Sequence, residues 1–173
     1  MKVVNLVVQF AGKSRSREDL QRDVRVLDAI YKQACIRFEL LDEDIVADPK
    51  IDDGHGGFRR PQTTTVPSTM PGSNFGTYAE FVKNGATKVN VFLVREVAEV
   101  DPKINTAGLS AFPAPYCCVE GALKADSLRS TIGHEFGHVL GNLDEAYPVV
   151  GDSAAIREFK DTHNNDMLMY HGG

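Results

Sequence analysis

The sequence predicts one mixed α/β (α+β) domain spanning residues 1–173, and three observations carry that prediction. An apolar, β-branched run near the start leads into an amphipathic helical pattern and then a second apolar run. Val89-Asn90-Val91-Phe92-Leu93-Val94 is the strongest strand signal in the chain. Leu128, Ile132, Phe136 and Val139 or Leu140 recur at helical spacing late in the sequence. A chain of 173 residues can bury one sizeable core, and no repeat or second domain is evident.

The elements follow in order. Val3 to Phe10 reads as the first core strand: it is short for the apolar region of a signal peptide, β-branched, and interrupted by Asn5 and Gln9. Ser16 and Asp19 form a capping-box-like start. Leu20, Val24, Leu27, Tyr31 and Ala34 then mark an amphipathic helix to about Cys35. Ile36 to Leu41 reads as a second strand, and the short exit from the helix predicts a right-handed parallel crossover.

Residues 48–76 contain Asp52-Asp53-Gly54-His55-Gly56-Gly57, Thr63 to Thr65, Pro67, Pro71 and Gly72, and are predicted as one long loop. Within it His55 is read as solvated loop polarity in preference to a second metal ligand. Thr77 to Asn84 is a short helix, and the 89–94 strand lies centrally in the sheet. Residues 107–112 form an edge strand, and Tyr116 to Glu120 a further strand that feeds the last helix. Cys117 and Cys118, adjacent in that strand, point to opposite faces. An odd cysteine count leaves at least one thiol unpaired; buried free thiols are favoured over a bridge from Cys35.

Charge narrows the partners. A formal net charge of −5 argues against nucleic acid, and no basic cluster suggests a membrane surface. No apolar run approaches the length of a bilayer-spanning helix. The chain is expected to be a monomer.

The last helix carries the chemistry. Asp126 or Ser127 is placed to cap its start. On it stands His134-Glu135-Phe136-Gly137-His138, followed by Val139-Leu140-Gly141-Asn142-Leu143-Asp144, an HExxHxxGxxD run. His134 and His138 are four apart and share a helix face, so two imidazoles can hold one Zn²⁺. Glu135, beside the first His, can reach a zinc-activated water as general base but does not readily complete the coordination. Gly141 permits a sharp stop and turn, which would bring Asp144 back as a third ligand. Two nitrogens and one carboxylate leave a position for water, as in catalytic sites.

This run resembles the metzincin metallopeptidases, whose usual pattern is HExxHxxGxxH; the Asp in place of the third His is similar to the snapalysin-type variant. Leu168-Met169-Tyr170 is similar to the Met-turn of that clan. Ala107-Gly108-Leu109-Ser110-Ala111-Phe112-Pro113 resembles the edge-strand segment of pappalysin-like members. The likeness covers roughly residues 89–170, and the zinc run is its specific part.

The resemblance implies a twisted mixed sheet with an antiparallel edge strand, a backing helix, a zinc-bearing active-site helix and a small C-terminal subdomain. It also implies a zinc-dependent endopeptidase, with secretion as the family expectation. Gly108, Leu109, Ser110 and Ala111 would then bind an extended peptide along the edge strand. Met169 would floor the metal, and Tyr170 would help close the site. Met167 competes with Met169 for the turn position, and the chain given ends at Gly173 where the clan continues into a helix.

Alternatives stay open on the third ligand. Glu158, twenty residues after His138, resembles the gluzincin arrangement, and His163 and His171 are spare imidazoles near the end. Asp144 is preferred, because Gly141 and the Leu-Met-Tyr segment have no part in the gluzincin layout. A zinc-binding module without catalysis is the other class, and Glu135 argues against it, since a purely structural metal has no use for that base.

Overall fold

A computed structural model of the chain describes residues 1–68, 73–98, 107–110, 113–121, 125–141 and 153–154. Its elements are β1 (Lys2–Ala11), α1 (Arg17–Tyr31), β2 (Ile36–Val46), β3 (Ile51–Asp52), β4 (Phe58–Arg59), β5 (Thr65–Pro67), α2 (Ser73–Gly76), β6 (Lys88–Val94), β7 (Glu96–Ala98), β8 (Gly108–Ser110), β9 (Tyr116–Glu120) and α3 (Ala125–Gly141). Five strands form the main sheet in the order β2-β1-β6-β9-β8. All its pairings are parallel except β8 with β9, which is antiparallel and leaves β8 at the edge. The fold is therefore mixed α/β with a mostly parallel sheet, as the strand and helix periodicities predict.

Alternation along the strands divides the core in two. Val4, Leu6 and Val8 of β1, Val91 and Leu93 of β6, and Cys117 and Val119 of β9 face one side. There Leu20, Val24, Leu27 and Tyr31 of α1 and Ile132 and Phe136 of α3 cover them. The opposite face takes Phe92, Val94, Leu109, Tyr116 and Cys118, covered by Val66, Phe75, Tyr78, Phe81 and Val97. Both principal helices thus lie on the same side of the sheet. Among the described residues, no helix is long and apolar enough to cross a membrane.

α1 starts where Ser16 caps it, accepting from the Asp19 backbone N–H at 3.1 Å. It ends in a single 3-10 turn over Lys32–Ala34, closed by Cys35 in the left-handed conformation at φ 54°. The first strand expected at 3–10 is β1, second in the sheet, and the 89–94 strand is its central member.

Several boundaries differ from the sequence expectation. β2 runs on to Val46, past the expected end at Leu41. The run Asp42-Glu43-Asp44 has the polarity of a loop, yet it lies on the outermost strand of the sheet, where Asp42 and Glu43 are exposed. The buried Asp44 is neutralised by Lys88, whose Nζ lies 2.6 Å and 2.7 Å from its two oxygens. The expected 48–76 loop contains the β3–β4 hairpin and β5, which pairs in parallel with β7. Strands of two or three residues are too short to show a period. The helix expected over Thr77 to Asn84 is a 3-10 helix over Thr77–Phe81. α3 begins at Ala125, one and two residues ahead of the expected capping positions Asp126 and Ser127.

A buried amide pair fastens the second layer to the sheet. Gln9 donates through Nε2 to the Phe81 carbonyl (2.8 Å) and to Asn90 Oδ1 (2.9 Å). Asn90 accepts from the Lys83 N–H and donates to the Lys83 carbonyl, each at 3.0 Å. Both side chains are fully buried, which apolar strand neighbours would not demand. Asn90→Ala removes three of these bonds and costs the fully buried Gln9 amide a partner, so it should destabilise the domain by about 2–4 kcal/mol. The urea midpoint of the full chain measures this, and an unchanged midpoint would show that the network is dispensable.

Candidate active site

The site is built on α3, and helical periodicity sorts that helix into three adjoining stripes. Ile132 and Phe136 form the core stripe, with Val139 and Leu140 partly buried behind them. Phe136 is fully buried and stacks on Phe38 of β2 at a centroid distance of 5.1 Å, while Phe38 meets Tyr31 edge-on at 5.3 Å. Tyr31 adds a hydrogen bond from its hydroxyl to the Gly133 carbonyl at 2.6 Å. These contacts fix how α3 is turned about its own axis.

The second stripe, Thr131 and Glu135, faces β8. Glu135 is only 3% exposed, and its Oε2 accepts a hydrogen bond from Ser110 Oγ at 2.6 Å. Gly108, two residues earlier on the same face of β8, lies so close that a Cβ there would fall 2.5 Å from Glu135 Oε1 and 2.7 Å from Thr131 Cγ2. Beneath this contact Cys117 of β9 pairs in register with Ser110. Burial pushes the Cys117 thiol well above its ordinary range, and the charge of Glu135 adds to the effect, so it stays protonated and is a poor metal ligand.

The third stripe holds the imidazoles. His134 is buried and His138 half-buried, and their Nε2 atoms lie 3.3 Å apart with ring planes at 81°. Two nitrogens bound at about 2.0–2.1 Å to one tetrahedral ion are about 3.3–3.4 Å apart, so the pair fits a shared zinc. A hydrogen bond between the rings is the metal-free alternative, and it would be longer than the usual N–H donor distance of about 2.7–3.2 Å. Among the described residues, no group of three His, Cys, Asp or Glu side chains forms a metal site. Asp144 lies outside the described residues, as do Glu158, His163, Met167, Met169, Tyr170 and His171.

The expected site residues are thus brought together in part. His134, Glu135 and His138 meet on α3, with Gly108 and Ser110 against Glu135. Leu109 instead points into the second core at 5% exposure, so its side chain is closed to a peptide; Ala111 lies outside the described residues. His55 is exposed, and its neighbour Asp53 accepts from the His55 and Gly57 backbone N–H groups at 2.8 Å and 3.0 Å, which makes that carboxylate part of the turn. Cys117 and Cys118 are buried free thiols as expected, whereas Cys35 is a free thiol on the surface.

One contributor was not legible in the sequence as a site residue. Tyr31 was visible only as the last member of an apolar stripe; its hydroxyl on an otherwise buried helix end was the available signal. Ser110 was assigned to the substrate, and nothing in the local pattern pointed it at Glu135.

Gly108→Ala should force Glu135 or Thr131 aside in a packed setting and destabilise the chain by about 1–3 kcal/mol. Gly76→Ala is the control, because a Cβ there meets nothing within 4 Å and should stay within about 0.5 kcal/mol of wild type. Equal urea midpoints for the two variants would show that β8 and α3 are not tightly apposed.

No protein family and no curated protein matches the chain, so its function is inferred from these side chains.

Proposed function

We propose that the chain is a zinc-dependent endopeptidase in which His134 and His138 hold the metal and Glu135 is the general base. The observation that supports it most is the pairing of two Nε2 atoms 3.3 Å apart with a carboxylate, on the next residue, that is nearly withdrawn from water. A structural metal site has no need of that carboxylate, whereas hydrolysis does. Asp144 is the proposed third ligand, which a turn permitted by Gly141 would bring to the metal.

A bound zinc would supply Lewis acidity, polarising the peptide carbonyl and making water a better nucleophile near neutral pH. The chain's own part is proton movement and orientation. Glu135 accepts a proton from the attacking water as its oxygen bonds to the carbonyl carbon. The same carboxyl returns that proton to the amide nitrogen as the C–N bond breaks, leaving a free acid and a free amine. The neighbouring thiols take no part, since burial keeps Cys117 and Cys118 protonated. The proposed substrate is a peptide or protein segment laid along the β8 edge, paired through its main chain.

The test combines metal content with cleavage of a mixed peptide library. Wild type should carry one zinc per chain and lose cleavage on chelation. Glu135→Gln should retain zinc while turnover falls by at least about 10²-fold. His138→Ala should lose the metal, and Asp144→Ala should weaken it. Tight zinc in Asp144→Ala together with loss in Glu158→Ala would move the third ligand to Glu158. A wild-type chain that takes up no zinc would end the proposal.

A further inference from the structure

Glu135 meets two elements at once. It is carried by α3, and a hydroxyl bonded to its carboxylate belongs to β8. Ser110 donates to Oε2 at 2.6 Å, and Gly108 closes against Oε1 on the same face of the strand. Strand alternation sends Leu109 the other way, into the second core, which holds β8 against sliding or twisting. β8 is also bonded to β9 in register, Ser110 opposite Cys117. The hydroxyl is therefore presented from an anchored strand, while Glu135 has a flexible stem and a helix beneath it.

We propose that Ser110 is the positioning residue for Glu135: its hydroxyl holds the carboxylate in one orientation relative to the His134–His138 pair. This rests on the peptidase reading above for its catalytic consequence, but not for the contact itself. A base must sit within a few tenths of an ångström of its working geometry to transfer a proton efficiently, and an unrestrained glutamate samples several rotamers. Gly108 completes the device by leaving no space on the Oε1 side, so the carboxylate is confined between a missing side chain and a hydroxyl.

The assignment differs from a role in substrate contact, which the edge-strand likeness alone would give to Ser110. A substrate contact would act on KM, whereas a positioning bond acts on the chemical step.

The experiment uses the zinc-loaded full chain. Ser110→Ala should lower kcat by about 10–100-fold with KM and zinc content little changed, and Ser110→Thr, which keeps the hydroxyl, should restore most of the loss. Independently of activity, urea midpoints of Ser110→Ala, Glu135→Ala and the double variant should be non-additive, because the two substitutions remove the same bond. A rise in KM with kcat intact would assign Ser110 to the substrate and overturn the proposal. Additive midpoints would overturn it as well. If wild type cleaves nothing in the library, the peptidase reading is what fails; the midpoint cycle then decides alone whether the hydroxyl holds the carboxylate.

Discussion

Docking of Phe136 and Ile132 into the first core sets the rotation of α3, and the rest of the site depends on that setting. A helix advances about 100° per residue, so once two positions are committed to the core the others have no choice. Thr131 and Glu135 come to face β8, and His134 and His138 come to lie together beyond them. A rotation of one residue would press Glu135 onto Phe38 and lift Phe136 into water. The stack on Phe38 and the Tyr31 hydrogen bond oppose that rotation from two separate elements, β2 and α1. The opening strand–helix–strand unit, far from the motif in sequence, is thus what orients it.

Placing a carboxylate at 3% exposure beside two imidazoles carries a desolvation cost. The chain meets this locally with a hydroxyl donor and with small residues. Gly108 lets the edge strand approach, and Gly133 and Gly137 are themselves buried on α3. The thiol of Cys117 fills the space below at small volume. A larger residue at Gly108 would hold the two elements apart, and the hydrogen bond at 2.6 Å could not form.

Much of this was legible in the sequence, for identifiable reasons. β1, α1, β6, β9 and the body of α3 carry strong periods, because each buries one face or both in a continuous core. His134, Glu135 and His138 were legible because a single helix brings them together, so spacing alone fixes their relation. What could not be read depends on contacts between elements distant in sequence. The charges after Leu41 end the apolar run, yet they continue β2, with Asp42 and Glu43 exposed and Asp44 paired with Lys88. The short β5–β7 pair has no period to detect. Gln9 and Asn90 interrupt apolar strands for a reason that appears only when Lys83 and Phe81 are placed beside them. Ser110 was legible as a residue of the edge strand, but its bond to Glu135 was not, since strand alternation says which residues share a face and not what that face meets.

Both faces of β8 are now accounted for: Gly108 and Ser110 are committed to α3, and Leu109 to the second core. On the proposed function this has a consequence for selectivity. The described part of this strand offers a peptide its backbone edge and no side chain, and backbone pairing holds one sequence about as well as another. Preference among substrates must then arise elsewhere, from pockets that receive alternate side chains. It also ties the binding edge to the base, because the strand on which a peptide would pair is the one that holds Glu135 in place. A peptide that drew β8 outward would loosen the carboxylate it needs, so productive binding favours segments that pair without displacing the strand. The small residues between β8 and α3 make that condition strict, as there is no slack between the two elements to absorb a shift.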